Sequence, residues 1–345
     1  MPLESLSSEV TKYRDRQRPL TWACALAVLC AIAAVPASPQ AQRQPLKLVS
    51  TAWTPFTNAP GEARFALDLV EAALERTGHA SRTTIVAPAA FTRELLTGAY
   101  DGSAAAWKDD ERERVLLFSA PYLENRLVLV GRHESDVSAK TLTELAGKRV
   151  AIVEGYSYGD AVERSGPTFV RARSEEDCLS RLLKGEVDFT LMDDLVVQYI
   201  VNNYPKESAA RLQIGSTPVV RRELYLTLRR TLPDAQAIID GFNDQVRRMI
   251  ADRTYHRLLH VDWIRADVNG DGLEENVPST DKVGPASPER VYRLFSKSES
   301  ASSPGFYVGG TVYSDWASVP ASYREVNPDY PDARRSTASL FKFTW

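Results

Sequence analysis

The chain has 345 residues, with 42 Lys and Arg against 45 Asp and Glu and a formal net charge of −3. This balance argues against a nucleic-acid partner, and 43% hydrophobic with 25% charged residues argues against a disordered or fibrous chain. Only three cysteines are present, which excludes a disulfide-rich scaffold.

The N-terminal 37 residues have the pattern of a secretory signal. Four basic residues within the first 18 precede an apolar run over 20–35, and Val35-Pro36-Ala37 places small residues before a cut after Ala37. We therefore predict that residues 1–37 are removed and that the mature protein is periplasmic. An uncleaved membrane anchor is the alternative, although the apolar run is shorter than the roughly 20 residues that a span prefers.

Strands and helices alternate from residue 46 onward. Leu67, Val70 and Leu74 recur on one face of a helix over 63–77. Before residue 134 we predict strands over 46–51, 83–86, 103–106 and 127–130, with a further helix over 91–97. After it we predict helices over 141–146, 174–184 and 233–251, the last with proline in its first turn, and strands over 149–153, 187–192 and 224–228. This alternation predicts an α/β fold with parallel sheets.

Residues 265–345 differ in composition from the rest. Eleven of these 81 residues are aromatic, and the segment is rich in proline. We predict a loop- and β-rich C-terminal extension, with strands over 290–295 and 306–316. Because a disordered tail would be poorer in aromatic residues, the extension is expected to pack on the main body.

Seven blocks of the chain, taken in order, carry a resemblance to a known family. They include the Trp-Thr-Pro-Phe turn at 53–56, Phe-Ser-Ala-Pro-Tyr at 118–122 and Gly-Glu-Val-Asp-Phe-Thr-Leu-Met-Asp at 185–193; the others lie at 65–69, 98–101, 142–152 and 255–263. The chain resembles family 3 of the extracellular solute-binding proteins, the periplasmic components of polar amino acid ABC transporters.

The resemblance implies a two-lobed fold with two crossover strands, near 131–134 and 216–221. Lobe 1 would comprise 46–131 and 221–264, and lobe 2 would comprise 134–216, followed by the extension. It also implies a non-catalytic monomer that captures a small polar solute, an amino acid or a related carboxylate, for a membrane permease of the ABC type.

Several site residues follow from the resemblance. Arg112 matches the arginine that binds the ligand carboxylate, Asp193 matches the aspartate that binds the ammonium group, and the turn Gly155-Tyr156-Ser157 offers backbone N–H groups. The candidate walls are Trp53, Phe56, Trp107 and Tyr156. The alternatives are a surface arginine, an N-cap of a helix over 194–202 and ordinary core aromatics.

One departure from the family pattern bears on the ligand. Asp109 stands where the family commonly has threonine. Asp109 or Asp110 would neutralise Arg112 or select a cationic group, which puts the amino acid ligand itself in question.

Other functions remain open at this stage. Residues 155–159 read Gly-x-Ser-x-Gly, the motif of a serine hydrolase elbow, and His256 and His260 lie downstream at a spacing that also suits zinc. A dehydratase of cyclohexadienyl acids on the same fold is a second enzymatic alternative. A ligand-sensing or envelope-interaction protein, with the extension as its functional addition, is the third class.

A calcium loop is predicted at the start of the extension. Asp267, Asn269 and Asp271 occupy loop positions 1, 3 and 5, and the Leu273 carbonyl and Glu275 follow at positions 7 and 9. Position 12 is proline rather than glutamate, so weak Ca²⁺ binding is expected. The alternative is a simple Asp/Asn/Gly turn.

Overall fold

The computed structural model describes residues 44–268, 271–288, 291–293 and 304–325. The predicted signal over 1–37 and Asn269 of the predicted calcium loop lie outside these ranges. Among the described residues, no helix combines the length and the hydrophobicity needed to cross a membrane.

The first part of the chain forms three neighbouring strands covered by two helices. These elements are β1 (Leu46–Thr51), α1 (Phe65–Arg76), β2 (Ser81–Val86), α2 (Pro88–Thr97) and β3 (Gly102–Trp107). β1 pairs in parallel with both β2 and β3, as the alternation predicts. α1 buries Leu67, Val70 and Leu74, the face found in the sequence. α2 begins three residues earlier than predicted, because Pro88 suits the first position of a helix.

The central part of the chain forms a second group of strands and helices. Its elements are α3 (Asp110–Val115), β4 (Leu116–Phe118), β5 (Leu123–Arg132), a 3₁₀ turn (Leu142–Leu145), β6 (Arg149–Val153), α4 (Asp160–Glu163), β7 (Thr168–Ala172), α5 (Glu175–Leu183), β8 (Phe189–Asp193), α6 (Asp194–Asn203) and α7 (Pro205–Arg211). β6 pairs in parallel with β7 and β8, again as predicted.

Two long strands join these groups. β9 (Leu212–Arg229) pairs antiparallel with β3, β4 and β5, and β5 pairs antiparallel with β8. The described residues thus give a nine-stranded mixed sheet in the order β2-β1-β3-β9-β5-β8-β6-β7, with β4 beside β9. The sequence indicated only an apolar part of β5 and of β9, because polar and charged residues occupy 124–126 at the start of β5 and 221–223 in the middle of β9. The predicted lobe boundaries stay a prediction.

Two helices follow β9, namely α8 (Ala235–Ala251) and α9 (Thr254–Leu259). The predicted proline in the first turn of α8 is wrong. Asp234 has a left-handed conformation (φ 59°), so the helical backbone begins after it and Pro233 lies outside the helix.

The extension forms a second sheet with strands β10 (Trp263–Ala266), β11 (Glu275–Pro278), β12 (Tyr292–Arg293), β13 (Phe306–Val308) and β14 (Thr311–Tyr313), in the order β12-β10-β11-β13-β14. Instead of one strand over 306–316, β13 and β14 form a hairpin whose turn is Gly309-Gly310, both with positive φ. The predicted strand over 290–295 is described only in part, and β12 lies within it.

The predicted packing of the extension on the main body is confirmed. Ile264, Val277 and Tyr292 belong to the same buried cluster as the central sheet. The Tyr292 hydroxyl donates to the backbone carbonyl of Glu124 in β5, and the Arg126 guanidinium lies 4.4 Å from the Tyr292 ring centroid. The extension is therefore anchored on one of the two long strands.

Candidate functional site

Three aromatic side chains meet where strands of both groups end. Trp53 follows β1, Trp107 ends β3 and Tyr156 follows β6, as expected of a site at the carboxyl ends of α/β strands. Their ring centroids are 5.6 Å (Trp53 to Trp107), 5.6 Å (Trp53 to Tyr156) and 5.7 Å (Trp107 to Tyr156) apart. Phe56 is fully buried and lies 4.5 Å from Trp53, so it supports the cluster from the core. The structure thus places in contact the four aromatic residues that the sequence predicted as walls of the binding site.

The cleft at this aromatic cluster is closed by the side chains themselves. Its cavity volume is about 30 Å³, room for only a few water molecules. Arg112, Gly155 and Ser157 complete the lining beside the rings. Arg112 and two residues of the turn after β6, all predicted to bind the ligand, therefore border one small cavity with the aromatic cluster.

Arg112 is buried at the edge of this cleft, with 2% of its surface exposed. Its Nη1 donates to the Trp107 carbonyl (2.8 Å) and its Nη2 to the Thr92 hydroxyl (2.9 Å), while the guanidinium lies 5.3 Å from the Phe91 ring centroid. Burial lowers the pKa of Arg112, and the neighbouring Asp109 carboxylate opposes that shift. The alternative of a surface arginine is therefore wrong.

Asp109 is the counter-ion of Arg112. Its Oδ2 lies 3.4 Å from Arg112 Nε and accepts a hydrogen bond from Ser157 Oγ (2.6 Å). Its Oδ1 caps α3 by accepting from the Arg112 backbone N–H (2.8 Å). One carboxylate thus links the arginine to the turn after β6.

The turn after β6 approaches α2 closely. Gly155 has φ 82°, and a Cβ at this position would lie 2.4 Å from the Pro88 carbonyl oxygen. Only glycine fits this conformation and this distance together. The contact brings the turn of residues 155–157 against the first strand group and so helps to close the cleft.

Asp193 is fully buried at the end of β8. Its Oδ1 accepts from the Leu195 backbone N–H (2.8 Å) and its Oδ2 from the Arg126 backbone N–H (3.0 Å), so it is the N-cap of α6, as the alternative interpretation held. Burial and the nearby Asp194 carboxylate raise the pKa of Asp193 well above its usual range. Capping does not exclude ligand binding.

Glu175 is an acidic group that the sequence analysis missed. It follows the N-cap Ser174 of α5, and its Oε2 has no hydrogen-bond partner among the described residues. Burial raises the pKa of Glu175 to about 8, with further contributions from Glu176 and Asp193, whereas the Trp53 indole N–H opposes the shift. No sequence pattern singles out Glu175, because an acid in the first turn of a capped helix is common.

A larger, charged cavity of about 430 Å³ adjoins the aromatic cluster, which it meets at Asp109. The Arg222 guanidinium lies 5.7 Å from the Trp107 ring centroid and donates to the Lys108 carbonyl (2.7 Å). The cavity is lined by Lys108, Asp109, Asp110, Glu113, Glu124, Arg221, Arg222, Glu223 and Tyr225.

Comparison with known families matches residues 49–265 to the bacterial extracellular solute-binding proteins, family 3. The chain belongs to this family. The match ends within β10, so most of the extension lies beyond it.

Relatives of this solute-binding protein include transporter components and a sensor. ABC transporter arginine-binding protein 1 of Escherichia coli is 24% identical over 150 residues, which cover 43% of this chain and 59% of that protein. The virulence sensor protein BvgS of Bordetella pertussis is 28% identical over 125 residues, 36% of this chain and 10% of the sensor.

Among solved structures, the fold is similar to that of a periplasmic binding protein of an arginine transport system from Legionella pneumophila. The TM-score is 0.52 at 22% identity, covering 63% of this chain and 98% of the other. This likeness supports the two-lobed α/β fold of family 3.

Two other candidate sites, the serine hydrolase motif and the histidine pair, do not form the arrangements that their sequence patterns suggested. The Ser157 hydroxyl donates to Asp109, a carboxylate, rather than to a histidine. His256 Nε2 lies 3.0 Å from the Val277 carbonyl, and burial lowers the pKa of His256 to about 4, whereas the His260 ring packs 4.5 Å from Phe65. The two histidines thus serve packing and backbone contacts.

The predicted calcium loop is partly described. Asp267 accepts from the Gly272 N–H (2.9 Å), Asp271 from the Leu273 N–H (2.8 Å), and Glu275 is buried in β11. Within the described ranges, no three carboxylates or imidazoles come together at metal-binding distances. Asp271 forms an Asx-type turn, and Asn269, a further predicted ligand, lies outside the described residues, so calcium binding stays a prediction.

Proposed function

We propose that this protein captures a small polar solute carrying an amino group in the cleft at the aromatic cluster. The observation that carries the proposal is the convergence of Trp53, Trp107 and Tyr156 with buried ionisable groups on either side. Arg112 and Asp109 lie on one side, and Glu175 borders the other. Apolar walls with a few buried polar groups are typical of small-molecule sites. Asp193 is the proposed partner of the amino group.

Capture requires the cleft to open. An open volume of about 30 Å³ does not admit a solute of amino acid size. Entry therefore requires the Tyr156 side to move away from Trp53 and Trp107, with β5 and β9 as the connecting strands. Closure around the solute would then restore ring contacts and shield the buried charges from water.

We further propose that the protein works as a periplasmic monomer, after removal of residues 1–37, and delivers its solute to an ABC permease. The named arginine-binding relatives support transport. They match only part of this chain, and the aligned segment spans 59% of the E. coli protein. Non-catalytic capture is part of the same proposal.

Sensing is the second candidate function. The match to a segment of a virulence sensor and the anchoring of the extension on β5 both favour it. Cross-linking in cells identifies the partner protein. A permease as the partner would support transport, whereas a signalling protein would support sensing.

A thermal-shift screen of the purified protein tests the proposal. The panel contains amino acids, amines, small carboxylates and neutral sugars, and each hit is confirmed by calorimetry. We expect saturable stabilisation by at least one solute with an amino group. Stabilisation confined to solutes without an amino group would contradict the proposal, and so would a complete absence of hits.

A further inference from the structure

We infer that the cleft selects an organic cation without a carboxylate group, because Asp109 already supplies the carboxylate that an amino acid would bring. The inference rests on the proposed function and deepens it by naming the class of solute. It departs from the amino acid ligand that the family resemblance implies.

Asp109 occupies the position expected of a ligand carboxylate. The resemblance places such a carboxylate between Arg112 and the turn 155–157. In this chain, Asp109 Oδ2 lies 3.4 Å from Arg112 Nε and accepts from Ser157 Oγ at 2.6 Å, so it contacts both partners. A residue of the protein therefore bridges the two sides of the cleft where the solute would otherwise do so.

Arg112 is already engaged by groups of the protein. Each of its two Nη atoms donates one hydrogen bond, to the Trp107 carbonyl and to the Thr92 hydroxyl, and Asp109 beside its Nε matches its charge. A ligand carboxylate would therefore have to share the guanidinium with Asp109. A second carboxylate would also lie next to the Asp109 carboxylate, and like charges at short range in a buried site repel strongly.

The remaining groups at the cleft favour a positive charge. The faces of Trp53, Trp107 and Tyr156 attract an ammonium or guanidinium ion. Glu175 is buried beside Trp53 and Tyr156 and has an Oε2 without a hydrogen-bond partner among the described residues, and it interacts with Asp193. A bound cation would provide the missing partner.

The charge balance points to the same class of solute. Arg112 and Asp109 cancel, and Asp193 and Asp194 lie beside Arg126. Arg222 is a further nearby cation, but it borders the charged cavity, where Asp110, Glu113 and Glu223 accompany it. With Glu175 protonated, as burial favours, these groups together complement one net positive charge.

Matched pairs of solutes that differ by one carboxylate group test the inference. The pairs are agmatine with L-arginine, cadaverine with L-lysine, and putrescine with L-ornithine, measured by calorimetry on the wild-type protein. We expect at least one amine to bind tenfold or more tightly than its amino acid. Asp109→Asn should narrow or reverse that ratio, because Arg112 then lacks its counter-ion. Asp110→Asn removes one negative charge at the neighbouring exposed position. It should leave the ratio of amine to amino acid affinity within twofold of the wild-type ratio.

Each outcome separates the inference from the proposed function. If every pair that binds favours the amino acid, the inference fails and solute capture stands. An unchanged ratio in a folded Asp109→Asn protein also overturns the inference, and if that variant does not fold, the wild-type pairs decide alone. If none of the six solutes binds, the inference fails, and hits in the broader screen decide whether the proposed function survives.

Discussion

Ser157 Oγ donates a 2.6 Å hydrogen bond to Asp109 Oδ2, which joins the turn after β6 to the start of α3. Asp109 closely follows β3 of the first strand group, whereas Ser157 follows β6 of the second. The hydroxyl therefore closes the cleft and holds the counter-ion of Arg112 in place. A serine in a Gly-x-Ser-x-Gly motif acts here as a hydrogen-bond donor to a carboxylate.

Ser157→Ala should lower the free energy of unfolding by about 1–3 kcal/mol, because the bond it removes is made to a charged group. Hydrolysis of a generic ester should stay at background in both the wild type and the variant. Denaturant unfolding and an ester assay on wild type and variant measure the two effects. Ser165→Ala, which removes a hydroxyl bonded to the neutral Val162 carbonyl, is the control for stability. Serine-dependent turnover well above background would instead establish a hydrolase.

Glu175→Gln should change the pH dependence of stability. The folded-state pKa of about 8 lies above the usual 4.5, so the folded protein holds a proton that the unfolded chain releases. Wild-type stability is therefore fully present below pH 4.5 and falls as the pH rises toward 8, by about 4 kcal/mol at about 1.4 kcal/mol per pH unit. The Gln variant lacks this loss.

Denaturant unfolding at pH 4.5 and pH 8 measures the Glu175 effect. Glu176→Gln changes an exposed acid of the same helix but keeps Glu175, so it should retain most of the wild-type loss of stability between the two pH values. If the two variants behave alike, Glu175 does not hold a proton in the folded protein.

Tyr292→Phe should loosen the extension. Its hydroxyl donates to the buried Glu124 carbonyl, which would lose a partner, at a cost of about 1–3 kcal/mol. Limited proteolysis and unfolding measurements should show earlier cleavage of the extension and a lower midpoint. Tyr313→Phe, in the β13–β14 hairpin, is the matched control. Equal effects of the two substitutions would show that the contact with β5 does not anchor the extension.

Calcium removal tests the loop over 267–275. If Ca²⁺ binds only the folded protein, it stabilises by about 2.7 kcal/mol at a concentration 100-fold above Kd. EDTA should then lower the melting temperature or expose residues 276–345 to protease. Asp267→Ala combined with Asp271→Ala should reproduce the EDTA effect and abolish any further response. A melting temperature and a cleavage pattern unaffected by chelator would identify the loop as a turn only.

The sequence predicted the family, the strand groups and the meeting of Trp53, Trp107 and Tyr156, because ordered motif blocks fix positions along the chain. It could not predict the long pairing of β5 with β9, since polar and charged residues at the start of β5 and in the middle of β9 hide the extended strands. Glu175 also escaped prediction, because burial of a first-turn acid depends on tertiary packing. The sequence predicted that Asp109 or Asp110 would neutralise Arg112, and Asp109 does, but its bridge to Ser157 required coordinates.

Calorimetry with a solute identified by the screen, on wild type, Asp193→Asn and Asp188→Asn, tests the central claim of solute capture most directly. Asparagine can still accept from the Leu195 N–H and so cap α6, but its Nδ2 cannot accept from the Arg126 N–H, so denaturant unfolding first establishes that the Asp193 variant is folded. Asp188 accepts from the Arg149 N–H at the start of β6, away from the aromatic cluster, and serves as the control. We predict that Asp193→Asn weakens binding by about thirtyfold or more, equivalent to about 2–5 kcal/mol, and that Asp188→Asn binds as wild type does. Unchanged affinity in a folded Asp193→Asn protein would contradict the proposed binding site.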